Sequence, residues 1–179
     1  MGAVAPDRFV FRDQSPAQTT MTRRSGRAPR GERVGDHGPA GKYHATTRLG
    51  AWRHDGTIAA MVDEGGTDVA VMRAFAAGDL RRILRPRDLV VMDNLSAPKD
   101  AGVIAASAAA GAIVCDRPPS APDLNPIEEM GSKVKEILRS ITARTAEALL
   151  DAIGVALRSV TTTDAEGWFA HGGYGNTEE

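Results

Sequence analysis

Apolar residues along this chain recur in two different periods, and each change of period marks an element. Arg8 to Arg12 (RFVFR) reads as a short strand ending at Asp13, with Pro16 signalling a turn. Lys42 to Trp52 is rich in Thr and aromatics; His54-Asp55-Gly56 supplies turn chemistry, and Thr57 to Val62 reads as the return strand of a hairpin. Helical spacing begins at Asp68, placing Val69, Met72, Phe75, Ala76, Leu80, Ile83 and Leu84 on one face until Pro86 stops it. Asp88 to Met92 (DLVVM) is almost wholly apolar, as in a strand covered on both faces, and it ends at Asp93.

An alanine-rich helix from about Lys99 to Ala110 stops at Gly111, and Ala112 to Cys115 predicts another buried strand. Pro118, Pro119, Pro122 and Pro126 hold the next loop out of helix until Pro126 itself, which suits the first turn of a helix capped by Asn125. Val134, Ile137, Leu138 and Ile141 continue that helix, and a second starts near Thr145 with Leu149, Leu150, Ile153 and Leu157 inward. Thr163 to Glu166 forms a capping-box pattern before Trp168 and Phe169. Three leading strands that pair antiparallel, then two βα crossovers, predict an α/β fold with a mixed sheet and helices on both faces. The division expected is a tail at 1–7, one domain at 8–160, and a short helix and tail at 161–179.

Composition narrows the class. The 179 residues are 42% hydrophobic and 25% charged, which is globular composition. The longest uncharged apolar run, Ala101 to Cys115, is too short to span a bilayer, and no secretory signal opens the chain. Pro6 stands where myristoylation needs Ser or Thr, and the single Cys115 excludes an internal disulfide or cysteine metal cluster. A cytoplasmic protein is expected.

The net charge of −1 conceals an asymmetry: Arg12 to Arg53 holds nine Lys or Arg against three acids, so that window carries +6 and the remainder −7. Arg23, Arg24, Arg27, Arg30 and Arg33 fall within eleven residues broken by Gly and Pro. Guanidinium forks match phosphate oxygens, so this loop is a candidate phosphate-contact segment; a solvated surface loop is the equal alternative.

Three acids stand where acids need explaining: Asp13 and Asp93 at strand ends, and Glu128 in the first turn of the helix near Asn125. Sites in open sheets collect at the carboxyl ends of strands. Parallel neighbouring strands would bring Asp13 and Asp93 together, where they repel unless a cation intervenes. A third carboxylate would complete a hard oxygen cage suited to Mg²⁺, and two such ions can clamp a phosphoryl transfer. Taken singly, each acid could instead shape a turn, stabilise a helix terminus or pair with a loop arginine. His37, His44, His54 and His171 show no metal-ligand spacing.

The segment PDLNPIE (Pro122 to Glu128), preceded by Val91-Met92-Asp93-Asn94-Leu95 with 34 residues between Asp93 and Glu128, resembles the DDE transposases of bacterial insertion sequences in the mariner superfamily. MTRRSGRAPRGER, the RHDG turn, KVKEILR and the closing WFAHGGY resemble the same family, and the likeness runs from about Arg8 to Tyr174. It implies a ribonuclease H-like fold in which Asp13, Asp93 and Glu128 are catalytic and hold two Mg²⁺ or Mn²⁺ ions for DNA cleavage and strand transfer. It further implies terminal inverted repeats and a target site as double-stranded DNA substrate, and a homodimer in the bacterial cytoplasm, associated with the nucleoid. Arg23, Arg24, Arg27, Arg30, Arg33, Lys99, Lys133 and Lys135 would contact phosphates.

Several positions depart from that pattern. Gln14 replaces an acid, Pro98 a histidine, Ser120-Ala121 a Tyr-Ser pair, Gly131 a large aromatic and Gly172 a common cysteine. Such transposases also begin with helix-turn-helix domains, whereas this chain opens almost at the first catalytic strand, so a separate DNA-reading segment is expected. A catalytically silent remnant that at most binds DNA nonspecifically is the competing expectation. An unrelated ribonuclease H-like nuclease is the third.

Overall fold

The computed structural model describes residues 4–35, 37–40, 43–64, 66–92, 97–116 and 126–174, the side chains of 97–99 excepted. After a 3₁₀ turn at Pro6–Arg8 come β1 (Phe9–Gln18), β2 (Ala45–Arg53), β3 (Ile58–Glu64), α1 (Val69–Phe75), a π-helical turn (Ala76–Leu80), α2 (Arg81–Ile83) and β4 (Leu89–Met92). Then follow α3 (Ala97–Ala109), β5 (Ile113–Asp116), α4 (Pro126–Ile141), α5 (Ala146–Arg158) and α6 (Thr162–His171). The sheet runs β3-β2-β1-β4-β5; β1 is antiparallel to β2 and parallel to β4, and β4 is parallel to β5. This is the mixed sheet that the element order predicts.

β1 is central, and its alternation sorts the core into two layers. Phe11 and Ala17 join Trp52, Ile127, Met130, Val134, Leu149 and Phe169 beneath α4, α5 and α6. Val10 packs with Leu49, Ala51, Met72, Phe75, Val90 and Val103 beneath α1 and α3. Aromatic edges close the first layer: Phe11 meets Phe169 at 5.4 Å and Tyr174 at 5.2 Å, and Trp52 meets Trp168 at 5.2 Å. A Cβ at Gly172 would stand 3.2 Å from the Tyr174 ring and 3.3 Å from Pro126 Cγ, so glycine lets the end of α6 lie against the start of α4. The helix that carries Glu128 is thereby held at its first residue.

Four expectations are corrected. β1 does not end at Asp13 but continues through Pro16 to Gln18. Among the described residues its pairing with β4 runs to Arg12, and beyond that it pairs with β2 alone, where proline is tolerated. The helix from Asp68 is broken by a π-helical turn containing Gly78, and Val69 is exposed. β5 is not buried: as an edge strand it leaves Ile113 60% exposed. The capping box belongs to Thr161 and Asp164 instead of Thr163 and Glu166, because the helix starts two residues earlier than expected. Asn125, the expected cap of α4, lies outside the described residues.

The hairpin turn, with Gly56 at φ +82°, and the Thr145 cap of α5 stand as expected. Buried Arg53 knits the hairpin to the entry of β4. Its guanidinium donates to Asp88 from both Nη atoms and to the carbonyls of Ile83 (3.0 Å) and Asp7 (2.6 Å). Among the described residues no helix is long and apolar enough to cross a membrane.

Candidate active site

Two of the three acids are described, and they reach one side of the sheet. Asp13 shares the face of Phe11 because strand side chains alternate, and that face is covered by α4. Among the described residues the parallel ladder between β1 and β4 ends at Arg12 opposite Met92. Asp13 thus follows the last β4-paired residue of β1, just as Asp93 in sequence follows the last residue of β4. Asp93 itself lies outside the described residues. Glu128 stands exposed in the first turn of α4, between Ile127 and Met130, whose burial against Phe11 sets the helix across β1. Among the described residues no three His, Cys, Asp or Glu gather as a metal site. The donor set itself, all carboxylate oxygen, suits a hard divalent ion.

The residue missing from the sequence reading is Arg48. It lies on β2 opposite Ser15, two positions from Gly50, the partner of Asp13, so its side chain points to the same face as Asp13. It is only 4% exposed, and its Nη1 has no hydrogen-bond partner among the described residues. Burial pushes the guanidinium below its ordinary pKa, and the Asp13 carboxylate pushes it back up. Helix α4 covers it at Gly131, whose Cβ, if present, would stand 4.0 Å from Arg48 Nη2. A period-two reading from Trp52 through Gly50 to Arg48 was the available signal, since it puts an arginine on the inner face of a central strand. Arg12, by contrast, turns to the other layer, where it lies 3.6 Å from Asp100 and donates to Met72 Sδ at 3.0 Å.

The five loop arginines, Arg23, Arg24, Arg27, Arg30 and Arg33, are all exposed. The base of their loop is pinned: Thr19 and His44 exchange hydrogen bonds at 3.1 Å, and Arg144 donates to the carbonyls of Thr19 (2.8 Å) and Met21 (3.1 Å). Arg23, Arg24 and Ser25 face Ser132, Glu136, Arg139 and Ser140 of α4 across a cleft of about 440 Å³. The loop therefore lies along the helix that carries Glu128, and Arg139 joins its cations. Lys133 is engaged elsewhere, in an ion pair with Asp164 at 2.5 Å and 5.9 Å from the centre of the Trp168 ring. Its i+3 spacing from Met130 turns it toward α6. Lys135 is half-buried, and Lys99 lies in the first turn of α3 on the opposite layer, its side chain outside the described residues.

Residues 8–150 match the family model described as DDE superfamily endonuclease. The chain belongs to that superfamily. The DDE domain also resembles solved structures of Mos1 transposase: a paired-end complex with left transposon end (TM-score 0.68, 15% identity, 92% of this chain and 52% of that one). A mariner Mos1 paired-end complex with Mn gives TM-score 0.65 at 15% identity, over 91% of this chain and 52% of that one. The isolated Mos1 catalytic domain gives 0.58 at 13% identity, over 92% of this chain and 76% of that one. At these identities the likeness is one of fold, and the fold is ribonuclease H-like. The DDE domain spans about half the length of the Mos1 chains in the paired-end complexes. No curated protein matches it in sequence.

Proposed function

We propose that this DDE domain is the catalytic part of an insertion-sequence transposase, cutting DNA strands and transferring the new 3′ ends in a metal-dependent reaction. One observation supports the reading: β1, which carries Asp13, and α4, which carries Glu128, pack on one another, and β1 is the parallel neighbour of the strand that leads into Asp93. Asp13, Asp93 and Glu128 would hold two Mg²⁺ or Mn²⁺ ions, as the Mn of one Mos1 complex suggests. Such ions, when bound, stabilise the attacking and leaving oxygens of phosphoryl transfer. The residues of the chain supply the rest. The carboxylates would supply the oxygen ligands, and the exposed loop arginines with Arg139 would hold the DNA backbone against α4 by contacts that carry no base sequence. Sequence reading falls to a helix-turn-helix segment, and pairing of two ends to a homodimer.

Incubation of supercoiled plasmid with the protein and Mn²⁺ tests this. Nicked circles should form, vanish with chelator, and be absent from Asp13→Asn, Asp93→Asn and Glu128→Gln. Nicking that persists in all three variants would refute the assignment. A second reading, a silent remnant that only binds DNA, is favoured by the buried cation Arg48 beside Asp13 and by Gly131 in the helix that carries Glu128. Wild-type protein that binds DNA but never nicks it would decide for that reading.

A further inference from the structure

We infer that Arg48 is a positioning residue of the carboxylate site, a fixed cation that steadies the Asp13 carboxylate and holds down the site's affinity for divalent metal. The inference rests on the metal-site reading above. Buried charges are nearly always paired, and the other two buried arginines obey: Arg53 has Asp88, and Arg12 has Asp100. Arg48 has no such direct ion pair among the described residues. The carboxylate whose field it feels is Asp13, diagonal to it across the β1–β2 ladder and on the same face.

Arg48 is almost wholly enclosed, so it acts on the site through its charge and not as a surface contact to a nucleic acid. Helix α4 passes directly over the guanidinium at Gly131, where a Cβ would meet Nη2 at 4.0 Å, an ordinary van der Waals contact. Gly131 and Arg48 therefore pack together, one helical turn from Glu128. A divalent ion held by Asp13 must sit near this positive charge, and like charges so close disfavour occupancy.

The test is calorimetric titration of the full chain with Mn²⁺ for wild type, Arg48→Met, Arg48→Gln, Arg48→Lys and Asp13→Asn, with circular dichroism to confirm folding. Removing the charge in Arg48→Met should tighten Mn²⁺ binding at least tenfold; Arg48→Gln should do the same should the methionine variant not fold. Arg48→Lys, which keeps the charge, should stay within about threefold of wild type. A merely structural arginine would leave affinity unchanged or weaken it, and either result in a folded neutral variant, with wild type binding, overturns the inference. Binding that depends on Asp13 in wild type shows the metal reading intact whatever Arg48 does. Absence of Mn²⁺ uptake by wild type and the neutral variants alike refutes that reading, and the inference with it.

Discussion

Asp13→Asn should destabilise the metal-free protein, and the sign of that effect separates two pictures of the site. If the acids stood alone, removing one would relieve repulsion and raise stability. Arg48 reverses the expectation, because Asp13 is then the counter-charge of a buried guanidinium. Cross-strand diagonal positions stand about 7–8 Å apart, and unit charges at that separation interact by about 2 kcal/mol at an effective dielectric near 20. Asp13 is half-buried, so solvent screening brings the attraction to about 1 kcal/mol. Leaving a buried cation less well compensated adds to the loss, for a total of about 1–2 kcal/mol. Urea unfolding in chelator measures it: with a slope of roughly 2 kcal/mol/M, the midpoint should fall by about 0.5–1 M without change of slope. A midpoint equal to or above wild type would refute the coupling of Asp13 to Arg48.

Three further outcomes follow from the same geometry. Asp88→Asn should cost about 3–5 kcal/mol, since it strips the buried Arg53 of its carboxylate while the guanidinium stays enclosed, and urea unfolding reads it. Asp164 is held at a pKa of about 2, first by the hydrogen bond from Lys133 and then by those from Thr161. Its folded pKa is depressed, so its contribution is complete above about pH 4 and lost as pH falls toward 2; Asp164→Asn should flatten acid unfolding in that window. Replacing Arg23, Arg24, Arg27 and Arg30 by Ala should lower the slope of log K against log salt for DNA binding by about 3–4 if each meets a phosphate, and an unchanged slope would mark a solvated loop.

Local chemistry made most of the fold legible. Asp68, Gly56, Gly111 and Thr145 are punctuation whose meaning does not depend on distant residues, and each stands where that chemistry puts it: two helix caps and two glycines at positive φ. The change from period two to helical period ordered the elements, and right-handed βα crossovers left few sheets that could accommodate them. Local pattern misjudged strand ends and burial. Pro16 reads as a break until the sheet pairs that end of β1 with β2 alone among the described residues, and Ile113 reads as core until β5 falls at the edge.

For the site, Asp13 and Asp93 were legible from apolar runs that lead into an acid, Glu128 from its place in a helix's first turn and the arginine loop from its clustered charge, while the family resemblance joined the three acids into one set. What each charge faces is a property of packing. Only tertiary structure sent Lys133 to Asp164, brought Arg139 to the loop, and laid Gly131 over Arg48. Arg48 and Gly131 are 83 positions apart in the chain and meet only because α4 crosses β1 and β2 on the face opposite α1 and α3. Electrostatic energy depends on separation in space and on exclusion of water, and neither is written along the chain.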